Sequence, residues 1–175
     1  MKTLNFSADY LNAIVDEAGR SPRRRQHRSI HTSMQDPSQR LFNAIGMDSY
    51  VQPHRHLLDP KAETLIAIRG RFALVIFDDD GEINALTILA TEKFNDNENV
   101  CSSDAAVGAE IPVGMWHTLV ALEPGSILLE VKAGPYDPKA PREGAPWAPP
   151  ENTLDGEHYL SRLRDEIMTR ITTTT

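Results

Sequence analysis

Cysteine is almost absent from this 175-residue chain. Cys101 stands alone, so no intrachain disulfide can form. It follows the polar stretch Asn95-Asp96-Asn97-Glu98-Asn99 and reads as a loop thiol. Long apolar runs are also missing; none approaches the roughly 20 residues of a membrane helix. Met1 to Phe6 lacks the apolar stretch of a secretory signal, so the expected location is the cytoplasm, with no membrane partner. Excess positive charge is absent too. A formal net charge of −7 and a pI near 5.3 argue against nucleic acid as a partner, because phosphate binding draws on a basic surface. Asp78-Asp79-Asp80 lacks the alternating ligands and distal Glu of a calcium loop and reads as a solvated turn. No internal repeat is visible.

What is there suits one globular domain: 40% of the residues are apolar, and the length is too short for two ordinary domains. Residues 7–18 predict an amphipathic helix, capped by Ser7, with Leu11, Ile14, Val15 and Ala18 on one face and Gly19 as its stop. A basic connector, Ser21-Pro22-Arg23-Arg24-Arg25, follows. From about Gln39 the period changes to short apolar runs separated by turn residues. They are Arg40 to Ile45, Tyr50 to Pro53, Thr64 to Arg69, Phe72 to Phe77, Ile83 to Leu89, Ala106 to Ile111, Thr118 to Leu122 and Ile127 to Lys132. Many short strands at regular spacing predict an all-β sandwich or barrel. Asp80-Gly81 between two such runs predicts a hairpin. Beyond Val131 a proline-rich extension runs to Pro150, with Trp147 as its expected anchor on the barrel. Tyr159, Leu160, Leu163 and Ile167 predict a second amphipathic helix, and Thr172 to Thr175 are expected to fray.

The chemistry concentrates in two clusters. In Pro53-His54-Arg55-His56, residues two apart in an extended segment share a face, so both imidazoles point one way. Glu63 opens the next apolar run, and Gly70 closes it. The second cluster, Pro112-Val113-Gly114-Met115-Trp116-His117, is a tight turn that delivers His117 to the start of a strand. Three imidazoles and one carboxylate form a mixed N/O donor set. It suits one divalent transition metal (Fe, Mn, Ni, Co, Zn or Cu) far better than calcium.

These residues resemble the two cupin motifs. The first is carried by His54, His56, Glu63 and Gly70, the second by Pro112, Gly114 and His117; Ala121 stands where the family often has Asn. A more specific resemblance, from about Ser21 to Trp147, is to the WbuC-type cupin fold metalloproteins. It rests on Ser21 to His27 with His31, Gln39-Arg40-Leu41, Tyr50 to His56, Lys61-Ala62-Glu63, Phe77 to Gly81, Pro112 to Thr118 and Leu129 to Pro138. The long gap between His56 and Glu63 is familiar in that group. The resemblance implies a mainly β fold: a cupin (double-stranded β-helix, or jelly-roll) barrel with short N- and C-terminal helices. The expected division is an N-terminal helix and basic connector over residues 1–35, the barrel over 36–133, and the extension and C-terminal helix over 134–175. It further implies a metal at His54, His56, Glu63 and His117, an association with O-antigen polysaccharide biosynthesis, and a candidate homodimer through edge strands.

His27, His31, Arg40, Gln52 and Trp116 are candidate substrate contacts, and Arg23, Arg24 and Arg25 are candidates for an anionic group. Tyr50 and Arg69 alternate with apolar neighbours and are expected to project inward; Arg55 should point away from the two histidines, and His158 should be exposed. The leading functional expectation is a metal-dependent enzyme acting on a small polar metabolite, a sugar or sugar-derived acid, by Lewis-acid chemistry. Isomerase or epimerase chemistry, with His27, His31 or Glu110 as base, and Fe(II) dioxygenase chemistry fall within it. The alternatives are a non-catalytic binding or regulatory cupin and a purely structural metal.

Overall fold

The computed structural model describes residues 3–91, 105–140 and 142–173; Cys101 and the polar stretch before it lie outside them. Helix α1 spans Ala8–Arg20, with the Ser7 hydroxyl accepting from the Tyr10 N–H at 3.2 Å. Gly19 does not end it. Termination falls to Ser21, whose N–H returns to Glu17 and Ala18 carbonyls, with Pro22 next and unable to donate.

Ten strands follow: β1 (Arg25–Ser29), β2 (Ser38–Ile45), β3 (His54–Arg55), β4 (Glu63–Arg69), β5 (Arg71–Phe77), β6 (Ile83–Ala90), β7 (Gly108–Ile111), β8 (Trp116–Ala121), β9 (Ser126–Ala133) and β10 (Glu143–Gly144). Helix α2 (Leu154–Thr173) closes the described chain. It continues through Thr172 and Thr173, the Thr172 hydroxyl bonding back to the Met168 carbonyl at 3.0 Å, so the predicted fraying does not reach either of these residues. No described helix is long and apolar enough to cross a membrane.

The strands form two five-stranded antiparallel sheets, ordered β1-β2-β9-β4-β7 and β10-β3-β8-β5-β6. This is the cupin jelly roll, with a single bridge, Leu89 to Ala106, tying the sheets at one edge among the described residues. Two elements differ from the sequence expectation. Residues 25–29, expected as part of a connector, pair with β2 from Arg25↔Ile45 to Ser29↔Leu41. They carry no apolar alternation because they form an edge strand whose inner face is polar. Tyr50 to Pro53, expected as a strand, runs beside the sheet without a ladder of its own, and pairing begins only at His54.

Side-chain alternation sorts the core into layers. Ile45, Leu65, Phe72, Leu74, Leu119 and Leu128 fill one end of the space between the sheets. Ile14 and Ala18 of α1 cover the outer face of the first sheet at Phe42, Ala44 and Ile127. Leu160, Leu163 and Ile167 of α2 cover the outer face of the second at Val75, Phe77 and Val120. The Asp-Gly hairpin joins β5 to β6 with Gly81 at φ 91°, and Trp147 packs on it, 5.0 Å from the Phe77 ring. A Cβ on Gly81 would approach the indole to 2.7 Å, so this glycine admits the anchor as well as making the turn.

One ion-pair network ties both ends of the chain to the frame. Arg25, whose side chain is 3% exposed, donates to Glu151 at 2.5 Å and to the Tyr50 carbonyl at 2.9 Å. Arg142 reaches the other Glu151 oxygen at 2.6 Å. Dehydration opposes ionisation of Glu151, but the two guanidiniums outweigh it and hold its pKa below the ordinary value. A depressed carboxylate pKa contributes stability that is complete above the unfolded value of roughly 4.3 and is lost as pH falls through the folded value. Glu151→Ala, which strands Arg25, is expected to cost about 3–5 kcal/mol at pH 7. Urea midpoints should show that deficit shrinking below pH ~4.

Candidate metal centre

At the end of the inter-sheet space away from the apolar core, four side chains converge. His54 and His117 face each other in register on β3 and β8, with ring centroids 4.4 Å apart. His56 follows two residues after His54, its ring 5.5 Å from that of His54. Glu63 comes from the opposite sheet, at the start of β4. One donor atom from each of the four lies within 4.8 Å of all the others.

The tautomers follow from the backbone. The Nδ1 of His54 lies 2.9 Å from the Gln52 carbonyl, and that of His117 lies 2.9 Å from the Met115 carbonyl. An Nδ1–H donating to each carbonyl leaves the Nε2 as a bare lone pair aimed at the centre. Glu63 presents its two oxygens there, 3.2 Å from His56 Nε2 and 3.3 Å from His117 Nε2. Lone pairs facing carboxylate oxygens repel unless a cation lies between them. Neighbouring donors around a six-coordinate ion, each about 2.1 Å from it, stand ~3.0 Å apart. The donor set thus fits a divalent transition metal in chemistry and in spacing.

Charge supports this arrangement. Dehydration, then the nearby His117 and Arg142, push the His54 pKa well below its ordinary value and keep the ring neutral. Dehydration works against the Glu63 carboxylate, but its contacts with His117 and His56 and the charge of Lys132 hold its pKa well below the usual range. Lys132 donates to Glu63 at 2.8 Å and to Glu130 at 3.0 Å. Dehydration alone would lower the Lys132 pKa; the two carboxylates reverse that and raise it. Dehydration raises the pKa of Glu130 against the pull of Lys132.

A cavity of about 560 Å³ opens from the four donors. His27 and His31 line it, as expected. His31 is buried, its Nδ1 accepting from the Arg40 N–H at 3.0 Å. Desolvation, then the charges of Arg23, Arg25, Lys132 and Arg142, lower the His27 pKa to about 4. The ring is itself open to cavity water, so the four cations are the firmer cause, and the direction follows from them alone.

Three expected contacts lie elsewhere. Trp116 precedes the inward His117 and so faces outward, where its indole donates to Asp79 at 3.0 Å and stacks under Arg55 at 4.3 Å. Arg40 alternates with the inward Gln39 and Leu41 and pairs with Asp36 at 3.2 Å. Gln52 donates to the Ala148 carbonyl at 3.2 Å and braces the extension. Tyr50 and Arg69 also miss the cavity: the Tyr50 hydroxyl donates to the Pro149 carbonyl at 2.9 Å, and Arg69 to Asn12 at 2.8 Å. Glu110, considered as a base, is exposed and accepts from the Thr64 hydroxyl. His158 is exposed on α2, as predicted.

Sequence reasoning missed Glu130, Lys132, Asn43 and Arg142, all of which line the cavity. For the first two a signal existed: they stand two and four residues after the core-facing Leu128 on β9, so strand alternation puts them on its face.

A family described as "Domain of unknown function (DUF6016)" matches residues 6–89, just under half of the chain. No curated protein matches it in sequence. Among solved structures, protein SO0799 from Shewanella oneidensis is 11% identical over 67% of this chain and 72% of that one, with a TM-score of 0.50. Rru_A2000 from Rhodospirillum rubrum, described as a cupin-2 domain, is 12% identical over 82% and 79%, with a TM-score of 0.49. KdgF from a Halomonas species is 16% identical over 66% and 82%, with a TM-score of 0.44. At such identities the likeness to the Shewanella protein concerns the course of the backbone alone. The sheet topology and the donor cluster together describe a cupin fold whose inter-sheet site is suited to a metal ion.

Proposed function

We propose that His54, His56, Glu63 and His117 hold one divalent transition metal, and that the protein is a metal-dependent enzyme acting on a small polar metabolite, a sugar or sugar-derived acid. The observation that carries this reading is the set of inward Nε2 lone pairs facing a carboxylate at the head of a cavity large enough for such a molecule. The bound ion supplies Lewis-acid polarisation of a substrate oxygen. The chain's own residues do the rest. Lys132 fixes the Glu63 carboxylate against rotation, and the Gln52 and Met115 carbonyls fix two of the rings. Of the three bases considered, Glu110 lies outside and the His31 Nδ1 is already engaged, which leaves the neutral His27 ring to accept a substrate proton. The WbuC-type resemblance supports a place in O-antigen polysaccharide metabolism.

Elemental analysis of purified, dialysed protein should find one divalent transition metal per chain. His117→Ala and Glu63→Gln should each weaken metal retention by about a hundredfold or more, with the far-UV circular dichroism unchanged. Metal occupancy should fall with pH only below roughly 6.5, since ligation requires neutral imidazoles and His54 resists protonation beyond that of an ordinary ring. Reconstituted protein, assayed in air and with Fe(II) anaerobically, should convert a sugar or sugar acid to product seen by mass spectrometry, and His117→Ala should abolish turnover. Metal retained equally by both variants would refute the ligand assignment; binding without turnover would leave a non-catalytic cupin.

A further inference from the structure

The cavity that opens from the donors carries a charge pattern at odds with the chain as a whole. The protein is acidic, at −7 overall, yet Arg23, Arg25, Lys132 and Arg142 all line this one cavity, against Glu63 and Glu130. Two of the cations are spoken for. Lys132 sits between Glu63 and Glu130, and Arg25 is buried against Glu151 and the Tyr50 carbonyl. The other two are not neutralised. Arg142 shares the single Glu151 carboxylate with Arg25, and its guanidinium lies 3.4 Å from the His54 ring. Arg23 has no ion-pair partner among the described residues and is exposed to solvent. A second observation points the same way. Asn43 is 6% exposed, lines the same cavity, and its Oδ1 has no hydrogen-bond partner among the described residues. It stands directly across from His27 in the β1–β2 register. A buried amide oxygen without a partner is satisfied when a ligand hydroxyl donates to it.

We propose that the molecule taken by this cavity carries an oxyanion, a carboxylate or a phosphate, held by Arg142 and Arg23, with a hydroxyl directed to Asn43. Resting on the metal-dependent reading above, this narrows the substrate class from small polar metabolites to acidic or phosphorylated ones. Guanidiniums suit the task because their paired N–H groups match the spacing of carboxylate and phosphate oxygens. In a cavity with low-dielectric walls the uncancelled charge also draws anions against the repulsion of an acidic protein surface.

The test is calorimetric titration of the purified protein, its metal content measured, with glucose, gluconate and glucose 6-phosphate at constant ionic strength. At least one charged probe should bind about tenfold or more tightly than glucose, and which one it is separates carboxylate from phosphate. Arg142→Gln and Arg23→Gln should each weaken that probe by roughly tenfold, the scale of a lost charge-assisted hydrogen bond, without changing weak binding of glucose. Arg23 is exposed, so its substitution spares the fold even where that of Arg142 disturbs the Glu151 network. Equal affinity for glucose, no binding by any probe at millimolar concentration, or charged-probe binding indifferent to both substitutions would overturn the proposal. Arginine-dependent anion binding in protein that holds no metal would uphold it and defeat the metal reading alone.

Discussion

Everything in the site depends on holding a carboxylate from one sheet against imidazole lone pairs from the other. Glu63 sits 3.2 and 3.3 Å from two ring nitrogens, and the backbone hydrogen bond at His117 Nδ1 leaves its facing nitrogen without a proton. At His117 this contact sets acceptor against acceptor, which is unfavourable, and the packed frame on either side holds it in place. That rigidity comes from the apolar end of the same inter-sheet space, where Phe72, Leu128 and Ile45 are almost wholly buried. The packed end sets the sheet separation, near 10 Å in such folds, and the unpacked end inherits it. A cation between the donors turns the standoff from strain into attraction.

How much of this was legible depends on whether a residue declared its face. His54 and His56 share a side by spacing, and the turn at Pro112 and Gly114 leads into His117, so the four donors could be named without coordinates. The same alternation condemns Trp116 and Arg40: each adjoins a residue that points inward, and so must point out. Glu130 and Lys132 are the converse case. They lie in a run read as an apolar strand, where charge looked incidental, although counting by twos from Leu128 brings both inside. For β1 no such count was available. Arg25-Gln26-His27-Arg28-Ser29 has no apolar residue to mark a face, because its inner side lines a cavity and its outer side meets α1 through Arg28 and Glu17 at 2.6 Å. Arg142 and Glu151 escaped for another reason. They pair with each other across nine residues, but the groups they join to, His54 and Arg25, lie over 80 residues away in sequence, and no local pattern encodes that closure.

The Glu151 network shows why the flanking segments belong to the site. Arg25 enters from β1 and Arg142 from the residue before β10, and one carboxylate beyond the proline-rich extension joins them. Glu151 also accepts from the Gln52 N–H at 3.3 Å, while the Gln52 carbonyl faces His54 Nδ1. A chain of contacts therefore runs from the extension, through Glu151 and Gln52, to a ring at the centre. Trp147 pins the same extension to the hairpin tip.

Two cations share one acid here, so a single carboxylate offsets the charge of only one of them. Arg25 resolves its own share with the Tyr50 carbonyl. Arg142 does not, and its uncompensated charge faces the cavity beside a metal-binding ring. Arg25 alone would pair with Glu151, so a second guanidinium there adds positive charge beyond what that ion pair needs. What it does provide is a fixed positive centre next to the place where an oxygen of a bound molecule would meet the metal. The surplus charge that is awkward for folding is the feature most useful for selecting an anion.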